Sequence, residues 1–288
     1  MADADILIVD DHAATREGLR TLLTNAGYAV VSARDGTEAL QKSIELDFKL
    51  ALLDVRLPGL GGLDLLARWA ERPRAPRVIV MTGVDTTTAA LGALRGHAYA
   101  FLSKPIVPGE LLEIVSKALG TAPEFNVDVL SARPEWVELL VPCARDAAER
   151  IENFMRHLDA DLPDEVREAI GVAFRELLLN AIEWGGHLDP TRKVNIACLR
   201  ARRMVLYRIA DPGAGFRFSD LAHAAISHEG DDVIGHMAIR EEQGLRPGGF
   251  GLMLVRANVD ELLYNERQNE VVFIKYLDAS IGAKSESA

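Results

Sequence analysis

Short apolar runs closed by polar residues alternate with amphipathic stretches through the first 120 residues. Ile6-Leu7-Ile8-Val9 ends in Asp10-Asp11, Leu50-Ala51-Leu52-Leu53 in Asp54, Arg77–Met81 in Thr82, and Ala100–Ser103 in Lys104-Pro105. Helical periodicity fills Ala13–Ala26, Thr37–Leu46, Leu63–Glu71, Thr86–Arg95 and Gly109–Leu119. This alternation predicts a parallel, doubly wound sheet of the flavodoxin-like α/β class. In such sheets chemistry gathers beyond the carboxyl ends of the strands, where all of these polar groups fall. Carboxylates, a hydroxyl and an ammonium then converge on one rim. Clustered carboxylates repel one another, and a hard cation such as Mg²⁺ resolves that repulsion.

The pattern breaks at Thr121–Pro134, which reads as a linker, with a Val127/Val129 alternation suited to a short strand. The spacing then predicts a strand at Trp136–Val141 and an amphipathic helix at Arg145–Leu158. A second helix starts at Leu162-Pro163-Asp164 and is stopped by Gly185-Gly186. Strands follow at Val194–Leu199, Met204–Ile209, Glu261–Asn265 and Val271–Leu277, the last two forming a hairpin around Arg267-Gln268. The expected architecture is an α+β sandwich, with helices layered on one face of an antiparallel-rich sheet. The expected division is a domain over 1–120, a linker over 121–134, a second domain over 135–280 and a disordered tail over 281–288.

In the second helix Val166, Ile170, Phe174, Leu177, Leu178, Ala181 and Ile182 mark a core face. Glu176 and Asn180, four apart, share one side of that helix. Two readings are open for them. They are either the solvated edge of an amphipathic helix, or a base and a metal-holding amide lining a nucleotide pocket. Downstream, Asp211-Pro212-Gly213-Ala214-Gly215 follows a strand, a turn suited to lying against a flat ligand, since glycine lets backbone approach closely. Pro247-Gly248-Gly249-Phe250-Gly251 opens an apolar helix, and backbone N–H groups at such a start can hold phosphate.

The order of these motifs resembles the N, G1 and G2 boxes of the Bergerat-fold ATPases: gyrase, Hsp90-type chaperones, histidine kinases and MutL. It is most similar to the serine kinases that act as bacterial anti-sigma factors. Their Glu-x-x-x-Asn-Ala-x-x-His-Gly pattern has its counterpart in Glu176 through Gly185, and the resemblance spans Asn126 to Leu277. It implies that Asp211 accepts a hydrogen bond from the adenine amino group and that Gly213 and Gly215 let the base sit close. It further implies that Gly249 and Gly251 contact phosphates, that Asn180 holds Mg²⁺, and that Glu176 is the base for an attacking hydroxyl. A lid over ATP is expected across Phe216–Arg246. Trp184 stands in place of the usual His, a departure that alters substrate fit. Asn269-Glu270-Val271-Val272 stands where a Thr is often found, a departure that weakens ATP binding.

Residues 1–120 resemble the receiver domain of bacterial response regulators. The resemblance implies that Asp54 is the phosphoacceptor and that Asp10 and Asp11 bind Mg²⁺ with it. Thr82 and Lys104 would contact phosphoryl oxygens, and Phe101 occupies the aromatic switch position. Leu57-Pro58-Gly59-Leu60-Gly61-Gly62 matches the family's loop after the phosphoacceptor strand. The combined expectation is a response regulator whose output domain binds ATP and Mg²⁺ and phosphorylates Ser or Thr of an anti-sigma-factor antagonist. A sensor histidine kinase lies upstream, a sigma factor is a further partner, and the chain is expected to be a homodimer.

Composition narrows the picture. A net charge of −11, most of it in the second half, argues against a nucleic-acid footprint. No uncharged run is long enough to span a membrane and the N-terminus has no basic region, so a cytoplasmic protein without a membrane partner is expected. Cys143 and Cys198 are isolated, which suits reduced structural thiols and no zinc. His223 and His228 read as surface residues. Two further function classes remain beside the kinase: an ATP-binding module that sequesters its partner, and an atypical histidine kinase using His157.

Overall fold

The computed structural model describes residues 5–83, 86–120, 126–215 and 251–277. The expected lid at Phe216–Arg246, with His223 and His228, lies outside the described residues, as do Gly249 and the tail at 281–288. The chain divides into two compact units. The first joins residues 1–124 with 153–161, and the second joins 125–152 with 162–288.

The first unit is built from β1 (Ile6–Val9), α1 (Ala13–Asn25), β2 (Val30–Ala33), α2 (Gly36–Glu45), β3 (Leu50–Asp54), α3 (Gly62–Ala70), β4 (Arg77–Thr82), α4 (Thr86–Arg95), β5 (Ala100–Ser103) and α5 (Pro108–Leu119). Its five strands are parallel in the order β2-β1-β3-β4-β5. Every residue of β1 and β3 is buried, as expected of strands covered on both faces. One face is sealed by Ile6, Ile8, Leu50, Leu52, Ile79 and Met81 against Leu19, Leu23, Leu111 and Val115 of α1 and α5. The alternate residues face the other side, where Leu65, Leu66 and Trp69 of α3 are buried. The strand order reverses direction between β1 and β3, so their carboxyl ends flank a crevice.

The sequence pattern does not mark β2. Val30-Val31-Ser32-Ala33 is an edge strand with only Ala33 buried, too short and too polar to stand out as an apolar run.

The second unit contains β6 (Asp128–Ala132), β7 (Trp136–Pro142), α6 (Arg145–Leu158), α7 (Asp164–Asn180), a π-helical turn (Ala181–Gly185), β8 (Lys193–Ala201), β9 (Met204–Ala210), α8 (Gly251–Asn258), β10 (Glu261–Tyr264) and β11 (Glu270–Tyr276), with the C-terminal half of α6 belonging to the first unit. Its six strands are antiparallel in the order β10-β11-β9-β8-β7-β6. The short strand suited to the Val127/Val129 alternation is the edge strand β6, Asp128–Ala132. It pairs with β7, and Asp128 accepts from Lys193 Nζ of β8 at 2.6 Å. Val205, Tyr207 and Ile209 of β9 alternate into the core with Val271 and Phe273 of β11. Tyr207 stacks on Phe273 with ring centroids 5.0 Å apart and meets Phe174 of α7 at 5.2 Å. Aromatic contacts of this kind add about 0.5–1.5 kcal/mol each beyond burial. They lock α7 against the sheet and so fix the height of Glu176 and Asn180. No described helix is long and apolar enough to cross a membrane.

Candidate functional sites

In the first unit the polar residues that close the strands do converge. One carboxylate oxygen each from Asp10, Asp11 and Asp54 lies within 4.8 Å of the others, a donor set that fits a hard divalent cation. Asp10 is fully buried and Asp54 nearly so, whereas Asp11 is exposed. The Asp10 carboxylate accepts from His12 N–H at 2.8 Å and from Lys104 Nζ at 2.6 Å. Asp54 accepts from Arg56 N–H at 3.0 Å and is also bound by Lys104 Nζ. Burial alone would push the Lys104 ammonium below the ordinary lysine value, but the two carboxylates outweigh it and hold the group above that value. Thr82 is buried at the end of β4, and its carbonyl accepts from Lys104 N–H at 2.7 Å.

Phe101 is fully buried in β5. Within the first unit its backbone N–H donates to Asn153 Oδ1 at 3.1 Å, and its ring lies 4.7 Å from that of His157. His157 Nδ1 hydrogen-bonds to the Asn153 carbonyl at 2.7 Å, and burial lowers the pKa of the imidazole.

In the second unit Glu176 and Asn180 are both half-buried on α7. Gly251, the first residue of α8, stands close to Glu176: a methyl group on it would lie 2.5 Å from Glu176 Oε2. The start of α8 and the candidate base are therefore neighbours.

The α-helical ladder does not run on to the glycine stop. It ends at Asn180 and gives way to one π turn, with Gly186 N–H donating to Ala181 O at 2.8 Å. Single π turns of this kind are rare and often mark functional sites. This one delivers two glycines into tight places. A methyl group on Gly185 would lie 2.2 Å from Asp211 Cγ, and one on Gly186 would lie 2.2 Å from Cys143 Sγ. Trp184, in the same turn, is 42% exposed.

Asp211 follows β9, and its Oδ1 accepts from Gly213 N–H at 2.7 Å. Burial pushes its carboxyl above the usual Asp value, against the opposing pull of Gly213 N–H, Arg192 and His187. Gly215 has φ +88° and packs on the β10–β11 turn, where a methyl group would lie 1.6 Å from the Arg267 carbonyl oxygen. Asn269 reaches across as well: its carbonyl accepts from Asp211 N–H at 2.8 Å, and its Nδ2 donates to Gly213 O at 3.2 Å. In the sequence Gly185 stands out as a helix stop and as the last residue of the Glu176–Gly185 motif, and Asn269 as a departure, but neither as a neighbour of Asp211. The Gly185-Gly186 pair was the available signal for the first, and no sequence signal marked the second.

The family model for the response regulator receiver domain matches residues 6–116, and that for the histidine kinase-like ATPase domain matches residues 140–275. The DNA-binding response regulator MtrA of Mycolicibacterium paratuberculosis is 32% identical over 202 residues, 69% of this chain and 88% of that protein. The chain belongs to the response regulators. A further relative of this response regulator is the protein-glutamate methylesterase/protein-glutamine glutaminase 5 of Myxococcus xanthus, 29% identical over 300 residues and covering 83% of this chain and 85% of that one. The positive alginate biosynthesis regulatory protein of Pseudomonas aeruginosa is 41% identical over 117 residues, 40% of this chain and 46% of its own length. The response regulator thus carries its receiver domain ahead of an ATPase domain of the histidine kinase-like class, a class that binds ATP.

Proposed function

We propose that this response regulator takes up a phosphoryl group on Asp54 from an upstream sensor histidine kinase and thereby controls an ATP-dependent protein kinase. The substrate is a Ser or Thr of an anti-sigma-factor antagonist, with a sigma factor as a further partner. In the receiver, Asp10, Asp11 and Asp54 would hold Mg²⁺, which when bound offsets the negative charge gathered there. The Lys104 ammonium and the Thr82 hydroxyl contact the phosphoryl oxygens.

The observation that carries the kinase reading is the pairing of Glu176 with Gly251. A half-buried carboxylate sits against the glycine start of α8, where backbone N–H groups favour phosphate. A base for an attacking hydroxyl belongs in that position, because phosphoryl transfer depends mainly on placement and charge neutralisation. Asn180 is one helical turn further along α7 and would hold the Mg²⁺ that accompanies ATP. Asp211 accepts from the adenine amino group. The engagement of His157 with Asn153 and Phe101 weighs against a histidine kinase that uses His157 as its phosphoacceptor.

Labelled ATP and the Glu176→Ala variant test the reading. Phosphoryl transfer to the antagonist should fall by roughly 10²–10⁴, the usual worth of a positioned base, while ATP affinity stays within a few-fold of wild type. Asn180→Ala should lose both. If Glu176→Ala transfers phosphate at the wild-type rate, the kinase mechanism fails. If wild type transfers none yet holds its partner in the presence of ATP, the domain sequesters rather than phosphorylates.

A further inference from the structure

The Asp211 carboxyl is clamped from two sides. On the helix side, the π turn brings Gly185 so close that a methyl group there would lie 2.2 Å from Asp211 Cγ and 2.2 Å from Oδ1. No other residue fits without displacing the carboxyl. On the strand side, Gly213 N–H holds Oδ1 at 2.7 Å, and a methyl group on Gly213 would meet Oδ1 at 2.6 Å and the Gly185 Cα at 3.0 Å. Asn269 fixes this loop at two points: its backbone carbonyl accepts from Asp211 N–H, and its side-chain Nδ2 donates to Gly213 O, the tie that Asn269→Ala removes. Asn269 is braced in turn by Asn265: Asn265 Nδ2 donates to Asn269 Oδ1 at 2.8 Å, and Asn269 N–H donates to Asn265 Oδ1 at 3.1 Å. With Oδ1 committed to Gly213 and Gly185 packed behind it, the carboxyl has one orientation. A donor on a ligand meets it already aimed, so little ordering entropy remains to be lost on binding.

We propose that Gly185 and Asn269 are positioning residues that aim the Asp211 carboxyl at the exocyclic amino group of the nucleobase, and so set discrimination between bases with and without that group. The inference rests on the adenine reading of Asp211. Neither residue needs to touch the nucleotide. Gly185 acts by leaving room, and Asn269 by tying the loop to the β10–β11 turn.

The test compares ATP with purine riboside triphosphate, which has the same sugar and triphosphate but no 6-amino group. A buried acceptor left without its donor costs about 1–3 kcal/mol, so full-length wild type should prefer ATP by roughly 5–150-fold. Gly185→Ala and Asn269→Ala should each bring that ratio to within a few-fold of unity by weakening ATP, with the analogue bound about as before. A merely structural role would weaken both nucleotides in proportion and leave the ratio intact. In an Asp211→Ala background, Gly185→Ala should change the ratio no further, because the carboxyl it positions is gone. Asn269→Ala adds no atom to the fold and carries the test where Gly185→Ala is too unstable to titrate. A ratio that survives in Asn269→Ala, or affinities that fall together, overturns the inference while leaving the adenine reading standing. A wild-type protein that binds both nucleotides equally, or an Asp211→Ala variant that keeps the preference for ATP, overturns the adenine reading and the inference with it.

Discussion

The two polar sites are held in place by opposite means. In the receiver the fastening is charge: one ammonium, Lys104, reaches two buried carboxylates on neighbouring strands. In the ATPase domain the fastening is shape: Asp211 is fixed by glycine surfaces, the Gly213 N–H and the Asn269 backbone carbonyl, and burial works against its charge. A site fastened by charge responds to cations and pH and tolerates small changes of volume. A site fastened by shape responds to a single methyl group. On the proposed reading the receiver accepts and loses a doubly charged group, and a mobile cation would suit that. On the proposed reading the Asp211 site takes a flat neutral base, and such a pocket gains more from rigidity.

The sharpest break in this comparison is all-or-none. Asp54→Asn should abolish labelling by a small-molecule phosphodonor in Mg²⁺ while ATP still raises the melting temperature of the second domain. Equal labelling of both forms would remove the receiver site from the comparison. Next in size is Lys104→Met, which leaves Asp10 and Asp54 facing each other without their shared cation. Removing one partner of a buried pair costs of order 3–5 kcal/mol, and added Mg²⁺ should recover part of it. The same ion pairs set a pH window. Because the folded Lys104 value is raised above the ordinary lysine value of 10.5, its contribution is complete below that value and fades only as pH climbs through the folded one. Thermal scans of variant and wild type, with and without Mg²⁺, check both statements, and an unchanged melt would show that charge is not the fastening.

The smallest effect concerns Asp211→Asn. Asparagine still accepts from Gly213 N–H but carries no charge. The raised folded value of Asp211 means that its acid form stabilises the fold below the unfolded value of 3.8, and that this benefit is lost as pH rises through the folded value. Without nucleotide the variant should therefore melt slightly above wild type at neutral pH, and the gap should close on acidification. ATP should no longer raise its melting temperature. A variant that melts below wild type at neutral pH would show that the Asp211 charge stabilises the empty pocket after all.

The receiver was legible because strand-end polarity converts directly into location. Once four apolar runs alternate with helices, Asp10, Asp54, Thr82 and Lys104 must share a rim. Only β2 escaped, because an edge strand needs little apolar content and Val30-Val31-Ser32-Ala33 has little. In the second domain the helix Arg145–Leu158 and the strands from 193 to 210 follow from periodicity to within a residue or two. The π turn does not, because a change of hydrogen-bond register from Asn180 onward leaves no mark on side-chain spacing. The motif marks Gly185, but its packing role is equally illegible. A glycine that ends a helix and a glycine that makes room for a carboxyl look alike until the carboxyl's position is known. Asn269 and Asp211 are 58 positions apart in sequence, and only the fold of the hairpin makes them partners.

Cys143 gives the helix end a built-in clock. Its thiol is fully buried under Gly186, and burial pushes its pKa to about 11. At neutral pH only about one molecule in ten thousand carries the reactive thiolate, even before access is considered. Gly186 packs on the thiol, so lifting of the end of the π turn exposes it to an alkylating reagent, and the rate of modification reports local opening of that segment. Cys198, facing the core from β8, is 2% exposed and can react only when the sheet itself parts. The two thiols therefore time two different events in one domain, fraying of the π turn beside Asp211 and loss of the sheet that supports it.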